Sequence, residues 1–485
     1  MSRKGARLSP LAQEPSKSIR KAPAPLRVAS LFAGIGGFDR AFESAGASVV
    51  AQCESASFCQ AVLRRHWPTT KLFNDITAID PSEFPSATVW TAGFPCQDVS
   101  LARGNHGRSG LKGNHTSLFF SLMDLIQAKE PEIILLENVV GLLNSHQGRD
   151  FAIILRELTG AGYAVSWRVL NARYFGTPQS RSRVFMVAWR DDYRRAIGAL
   201  FEPIKGMKPP SERAGFLAPT RHKTGAIVPE IAYCVAATSG RHTGNDWARS
   251  YISYPNRVRR PTASESERLQ GFPAGWSLPQ DEYPEPARGY DSDRYRAVGN
   301  AVAVPVVEWI ARRIAALVSE KVKGKAGDFK IEALQTAPDL RKHSETLQFD
   351  RIMPQVKGGK FAYRWKGCGI AWKNEILEGA TAPAPSDIIS SRFVDVLDEQ
   401  IPEDRYFLTS NAAAGILRRA DIAGRTLFQP FREGLENLVK EDGVSPSNRP
   451  GAQFAPPRLR PPRAVKLGHT EPDLASPLRT VRASY

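Results

Sequence analysis

The chain has 485 residues, 42% of them apolar, which is enough to bury more than one core, and no apolar run approaches the ~18 residues of a membrane span. Its five cysteines (Cys53, Cys59, Cys96, Cys234 and Cys368) form no CxxC pair and no Cys/His cluster with zinc spacing, so a disulfide framework and a structural metal are not expected. A formal charge of +17 favours a polyanionic partner, because each phosphate neutralised by Lys or Arg releases a counterion.

Residues 1–25 carry Arg3, Lys4, Arg7, Lys17, Arg20 and Lys21 against Glu14 alone, and read as a disordered basic arm with no signal-peptide core. From Arg27 the pattern is strand, glycine turn and helix. Further short apolar runs follow at 48–52, 88–92, 133–136, 165–170 and 184–188, with helical stretches between most of them, notably 118–128 and 149–158. Strands alternating with helices predict an α/β domain over 26–200, with a mostly parallel sheet covered on both faces. Residues 201–295 are loop-rich and read as a second, smaller domain. Residues 296–320 return to the first domain with a helix over 302–318. Residues 321–344 read as a linker, 345–440 as a small C-terminal domain with a helix over 412–420, and 441–485 as a disordered Pro/Arg-rich tail.

The loop Phe32-Ala33-Gly34-Ile35-Gly36-Gly37 follows the first strand. Its glycines let a ligand approach the backbone at a helix N-terminus, although a plain tight turn uses the same residues. Glu54 ends the second strand, where a carboxylate can accept from ribose hydroxyls, and Asp75 follows the third, placed to accept from an adenine amino group. Both positions also suit solvated surface acids. With neither GxGxxG nor GxxxxGK[ST] present, an adenosine-type cofactor fits better than a dinucleotide or a triphosphate.

Cys96 stands in Gly93-Phe94-Pro95-Cys96-Gln97, a proline-stiffened turn after an apolar run, and is the candidate nucleophile. A thiolate attacks electron-poor carbon, such as carbon 6 of a pyrimidine whose nitrogen 3 is protonated or hydrogen-bonded. Glu137, in Ile133-Ile134-Leu135-Leu136-Glu137-Asn138-Val139, closes a buried strand. Partial burial would raise its pKa and let it donate to that nitrogen. Gln179, Arg181 and Arg183 fall on one face of a strand by period two. Two guanidiniums there can hold a phosphate, position Glu137 or contact a pyrimidine oxygen; a solvated basic face has the same spacing. Arg296-Ala297-Val298-Gly299-Asn300-Ala301-Val302 reads as the start of the last helix, with Asn300 either capping it or closing the cofactor pocket.

In this order the motifs resemble the DNA (cytosine-5)-methyltransferases over residues 27–317. The likeness includes Arg260-Pro261-Thr262 and Glu267-Arg268-Leu269-Gln270-Gly271-Phe272-Pro273. The resemblance implies a Rossmann-like S-adenosylmethionine-dependent methyltransferase fold, a small loop-rich target-recognition domain and a DNA cleft between them. It implies that Cys96 attacks carbon 6 of a flipped cytosine and that Glu137 grips nitrogen 3 and the exocyclic amine. Arg183 would support that carboxylate and the ring oxygen, with Arg181 and Gln179 on the same catalytic face. Phe32, Gly34, Gly36, Glu54, Asp75, Ile76, Asn300 and Val302 would line the pocket for S-adenosyl-L-methionine. Residues 104–113, with Arg108 and Ser109, would close over the base, and Arg241 and Thr243 would meet base edges. One departure is Ser55, which stands after Glu54 where the family often has an aromatic, so Ile76 is expected to cover the adenine. Cys234 reads as a packing residue.

The implied partner is double-stranded DNA, read by a monomer in the bacterial cytoplasm near the nucleoid, with no membrane role. A cognate restriction endonuclease need not bind it. Tyr406-Phe407-Leu408-Thr409-Ser410 and Gly415–Ala420 resemble a C-terminal segment of phage and prophage proteins, which would suit a phage or orphan enzyme. The tRNA-modifying relatives carry a Cys-Phe-Thr tripeptide and the amino-methyltransferases an Asp/Ser-Pro-Pro-Tyr motif, and this chain has neither. A DNA-binding protein that has lost catalysis is a further alternative, against which the intact Cys96, Glu137, Gln179, Arg181 and Arg183 argue, because a silent copy has no physical need for a thiol there.

Overall fold

The computed structural model describes residues 25–95, 118–203, 216–240, 246–320, 327–337, 340 and 347–441. The chain divides into two units, Met1–Val444 and Ser445–Tyr485, and the second lies wholly outside the described residues. So do nearly all of the N-terminal arm, half of the 321–344 linker, Cys96, Arg108, Ser109, Arg241 and Thr243.

A ten-stranded sheet organises the first unit. Its strands are β1 (Arg27–Leu31), β2 (Ser48–Cys53), β3 (Lys71–Phe73), β4 (Val89–Ala92), β5 (Ile133–Val139), β6 (Tyr163–Asn171) and β8 (Ser182–Arg190). They are joined by β14 (Leu347–Gln348), β15 (Cys368–Trp372) and β16 (Glu375–Gly379); the two-residue β7 (Gln179–Ser180) lies outside this sheet. The order across the sheet is β14-β16-β15-β6-β8-β5-β4-β1-β2-β3. Strands β3, β2, β1, β4 and β5 run parallel, and β8 inserts antiparallel between β5 and β6. The apolar run 133–136 is continuous because both faces are covered: Ile133 and Leu135 join one core, Ile134 and Leu136 the other. This is the doubly covered, mostly parallel α/β architecture expected from the alternating pattern.

The segment expected to stand as a small C-terminal domain is instead divided between two sheets. Strand β15 pairs antiparallel with the edge strand β6, and β16 and β14 continue outward. The edge had to be covered, because Tyr163, Val165 and Trp167 of β6 are 1%, 0% and 0% exposed in the completed sheet. A connecting strap then crosses the molecule. Arg168 donates to the Ala382 and Ala384 carbonyls, Ser386 N donates to Glu202, Ile389 bridges Phe175, and Phe393 N donates to the Glu230 carbonyl.

The loop-rich region holds β9 (Pro219–Arg221), β10 (Ile227–Pro229), β11 (Ala232–Tyr233), β12 (Ile252–Ser253) and β13 (Val258–Arg259). Four of these form an antiparallel sheet in the order β13-β12-β10-β9, while β11 pairs parallel with β7. Leu408 N donates to Val258 O and Arg260 N to Tyr406 O, so the C-terminal strap also lies along β13. Helices Ser410–Ile422 and Gln429–Glu441 pack on this small sheet around Tyr251, Val258, Phe431 and Leu435.

Two helix boundaries differ from the sequence expectation. Helix Asp291–Asn300 ends at the Gly-Asn pair, and the last long helix of the catalytic region starts only at Val304. Asn300 is therefore at a helix end, not at a helix start. The reason is local: Asp291 and Asp293 in its first turn suit an N-terminus, and Pro305 suits the first turn of the following helix. Among the described residues, no helix is long and apolar enough to cross a membrane.

Candidate active site

Parallel strands deliver their C-terminal ends to one edge of the sheet, where open α/β sheets bind ligands beside the point at which strand order reverses. Here β1 lies between β2 and β4, so the residues after β1, β2 and β3 flank one side of that point and those after β4 and β5 the other.

On the first side, Glu54 organises the glycine loop. Its Oε2 accepts from Gly34 N at 2.8 Å and its Oε1 from Ala56 N at 2.8 Å. Each oxygen keeps a further lone pair for a ligand hydroxyl. Phe32 has φ 54° and Gly34 φ 57°; a Cβ built on Gly34 meets nothing within 4 Å, so its backbone face is open to a ligand. Gly36 differs: at φ 79°, a side chain there would overlap the Trp67 ring. Asp75 is exposed, and its Oδ1 accepts from Thr77 N at 2.9 Å and Thr77 Oγ1 at 2.8 Å. Ile76 is 6% exposed and belongs to a core cluster. Val302 lies against Gly37 and Asn300 is exposed. An open glycine face with carboxylates after two adjacent parallel strands fits an adenosine-bearing group.

On the other side, register brings the chemistry together. Ala92 of β4 pairs with Leu136 of β5, which sets Gly93 beside Glu137. A Cβ on Gly93 would be 3.7 Å from Glu137 Oε2. Val139 of β5 pairs with Arg183 of β8, and Arg183 Nε is 3.1 Å from Glu137 Oε1. Burial pushes the Glu137 carboxyl above its ordinary pKa, while the Arg183 and Arg181 guanidiniums pull partly the other way. A carboxyl in that state can donate as well as accept.

Asn138, not singled out from the sequence, holds the turn that leads to Cys96. Its Nδ2 donates to Phe94 O at 2.9 Å, and its Oδ1 accepts from Val139 N at 2.9 Å. The signal was an amide next to a strand-end carboxylate.

The Gln-x-Arg-x-Arg segment is not the single strand expected: Gln179 lies on β7, Arg183 on β8 and Arg181 between them, and all three side chains reach the Cys234–Val235 segment. Their duties differ from the single catalytic set expected. Gln179 is fully buried; its Nε2 donates to Leu269 O and Gln270 Oε1 and its Oε1 accepts from Val235 N. Arg181 is 3% exposed and donates to Val235 O, Gly299 O and Ala301 O at 2.8, 3.1 and 2.7 Å. These two tie the loop-rich region to the Gly-Asn-Ala turn, and Arg183 is the one that holds Glu137. The backbones meet there so closely that a side chain on Gly299 would overlap Ala236 and Ala237. Cys234 Sγ lies 3.3 Å from Arg181 Nη1 and 4.0 Å from Arg183 Nη2.

The Glu267–Pro273 motif is likewise architectural. Glu267 is fully buried and accepts from Gly275 N at 2.5 Å, Ser277 N at 3.0 Å and Arg294 at 2.8 Å, and Gln270 donates to Val298 O and Ala301 O. The structure thus brings Glu137, Arg183, Asn138 and the Gly93–Pro95 turn together beside the glycine loop, with Glu54 and Asp75 across the strand-order reversal.

Residues 26–214 and 204–316 match the C-5 cytosine-specific DNA methylase family model. The Type II methyltransferase M.NgoBI of Neisseria gonorrhoeae is 32% identical over 324 residues, spanning 62% of this chain and 96% of the relative. The Type II methyltransferase M2.BsuMI of Bacillus subtilis (strain 168) is 30% identical over 330 residues, spanning 63% and 78%. The crystal structure of S. pombe Dnmt2 methyltransferase superposes over 61% of this chain and 100% of its own, with TM-score 0.45 and 18% identity. Because the family match takes in more than half of the chain and every strand that carries the site, this chain belongs to the C-5 cytosine-specific DNA methylase family and is a DNA (cytosine-5)-methyltransferase.

Proposed function

We propose that the protein methylates carbon 5 of a cytosine swung out of duplex DNA, through a transient covalent bond to Cys96, with S-adenosyl-L-methionine as donor. The observation that carries this reading is the Glu137 carboxyl, buried at the end of β5, held 3.1 Å from Arg183 and facing the turn that leads to Cys96. When bound against Gly34, Glu54 and Asp75, the cofactor supplies an electrophilic methyl group. The Cys96 thiolate adds to carbon 6, forming an S–C bond, while Glu137 donates to nitrogen 3 and carries the negative charge that would otherwise collect on the ring. Carbon 5, now enamine-like, would take the methyl group as the sulfonium S–CH3 bond breaks, and S-adenosyl-L-homocysteine would leave as the neutral thioether. Water takes the carbon-5 proton, nitrogen 3 returns its proton to Glu137, and expulsion of Cys96 as the thiolate breaks the S–C bond and restores aromaticity. Arg183 keeps Glu137 in place throughout.

Extruding the base costs a few kcal/mol, offset by pocket contacts. A formal charge of +17 supports binding to the phosphate backbone. The residues of the 201–295 region read the target, and Arg108, Ser109, Arg241 and Thr243 contact DNA. The relatives are named Type II methyltransferases, which supports a place beside a restriction endonuclease; the C-terminal likeness to phage proteins supports an orphan enzyme.

Bisulfite sequencing of DNA from cells expressing the gene tests the reading and defines the site. Protected cytosines in one sequence context are expected, and none with Cys96→Ser. A DNA duplex carrying 5-fluorocytosine at the target is expected to give a denaturation-resistant adduct with the wild-type protein. Full activity in Cys96→Ser would overturn the covalent route.

A further inference from the structure

We propose that the helical hairpin Ser410–Ile422/Gln429–Glu441 is a working part of the target-reading region, and that Arg419 is a positioning residue that sets its fidelity. The inference rests on the reading above, in which the 201–295 region recognises the site. The hairpin lies beyond residue 316, where the family match ends.

Packing alone would account for a hairpin that merely covers the small sheet, and there is ample packing. Tyr251 stacks on Phe431 at 4.5 Å and 9°, and Val258, Ile416, Leu427 and Leu435 complete one apolar cluster. The polar contact is harder to explain that way. Arg419 Nη2 reaches Asp246 Oδ2 at 2.8 Å, and Asp246 is only 1% exposed. Its other oxygen accepts from the Tyr251 hydroxyl at 2.9 Å. Asp246 is buried while Arg419 is half-exposed, so desolvation of the carboxylate and solvent screening of the guanidinium offset most of the attraction; what the pair adds here is register. Both carboxylate oxygens of Asp246 are fixed, one by the hairpin and one by Tyr251, the residue that leads into β12.

Asp246 opens the turn Asp246–Ala248, and from it a chain of contacts runs to Arg181, two residues before the Arg183 that holds Glu137. Arg249 N donates to Asp246 O at 3.2 Å, and the Arg249 guanidinium donates to Thr238 O and Thr238 Oγ1 at 2.6 and 2.8 Å. Ser239 Oγ accepts from Ala236 N at 2.9 Å, and Ala236 is the residue against which Gly299 is pressed. Gly299 O in turn accepts from Arg181. Arg425 lies 5.9 Å over the Trp247 ring, a second contact from the same hairpin. Base readout depends on donors held within a fraction of an ångström, so the group that fixes Asp246 fixes the frame of residues 237–240, the stretch of chain that leads into Arg241 and Thr243.

The test uses the full-length protein and the site defined by bisulfite sequencing. KM for DNA, kcat and the ratio of kcat/KM on the cognate duplex to that on one-base-changed duplexes are measured for Arg419→Met, Arg419→Lys and Tyr251→Phe, together with melting temperature. Arg419→Met is expected to lower the discrimination ratio and raise KM by about tenfold each, with a smaller effect on kcat. Arg419→Lys keeps the charge and should recover most of the ratio. Tyr251→Phe keeps the ring on Phe431 and loses only the hydroxyl, so a smaller loss in the same direction is expected even if Arg419→Met does not fold. Lower melting temperatures with an unchanged ratio would overturn the proposal and leave the hairpin a structural cover. A wild-type protein that methylates no defined site would overturn the functional reading, and this inference with it.

Discussion

Arg183 Nε stands 3.1 Å from Glu137 Oε1 because Val139 and Arg183 are register partners on neighbouring antiparallel strands. The pair is half of the candidate chemistry, and its charge state decides the pH profile. Burial raises the Glu137 pKa, so the carboxyl keeps its proton to higher pH than an exposed glutamate. A step that needs the protonated form slows as pH rises through that value. Glu137→Gln should lower methyl transfer by about 100-fold to 10,000-fold while leaving DNA binding near normal. Arg183→Met removes a counter-charge and should move the alkaline fall in kcat to higher pH. Single-turnover methylation across pH 6–9 checks both, and a Glu137→Gln protein with normal rates would remove the carboxyl from the reaction.

Asn138 makes a second prediction. It is 4% exposed and joins the end of β5 to Phe94 O, two residues before Cys96. Asn138→Ala leaves that carbonyl without its partner and should cost about 1–3 kcal/mol in stability. Turnover should drop more than DNA affinity, because the loosened turn leads to the nucleophile. Equal losses in both would point to general unfolding.

Asp39 predicts a pH-dependent stability. It is fully buried in the first turn of helix Gly37–Ser44, with Oδ1 accepting from Gln52 at 3.0 Å, and burial raises its carboxyl from 3.8 to about 6. The folded state therefore holds this proton where the unfolded chain has released it. The contribution favours folding at low pH and is lost as pH rises from about 4 to 6, leaving a cost on the order of 3 kcal/mol at neutral pH. Asp39→Asn should raise the melting temperature at pH 7.5 and flatten the dependence between pH 4 and 6. An unchanged melting temperature would mean that the ionised form is compensated in the fold.

Gly369 tests whether the C-terminal strands are part of the main core. A side chain there would overlap the Trp167 ring of β6 and the Leu377 carbonyl of β16. Gly369→Ala should destabilise the protein by about 1–3 kcal/mol through overpacking. Urea unfolding should stay a single transition, with its midpoint lowered as a whole. Two separated transitions would instead mark residues 347–441 as an independent domain.

Local chemistry was largely legible in the chain. The runs at 48–52, 133–136 and 184–188 emerge as β2, β5 and β8, because a strand buried on both faces writes itself as consecutive apolar residues. Glu54 after β2 and Glu137 at the end of β5 could be placed at strand ends from that pattern alone. The Gly-Asn turn was harder, since a helix end separated by only three residues from a new helix has nearly the same local signal as one helix start.

By itself the sequence determined the alternation of strands and helices, the glycine loop and the carboxyl-terminated strands, because these depend on backbone propensity and side-chain periodicity. Only the tertiary structure decided which polar side chains meet. Gln179, Arg181 and Arg183 follow one two-residue rhythm, yet the first two close on backbone from residues 235, 269, 299 and 301 while the third holds Glu137. The tertiary structure also decided the fate of residues 347–441, whose strands extend the edge at β6 and whose last two helices cover the small sheet. Such pairings join residues far apart in the chain, and what selects them is the burial of one surface by another rather than any local preference.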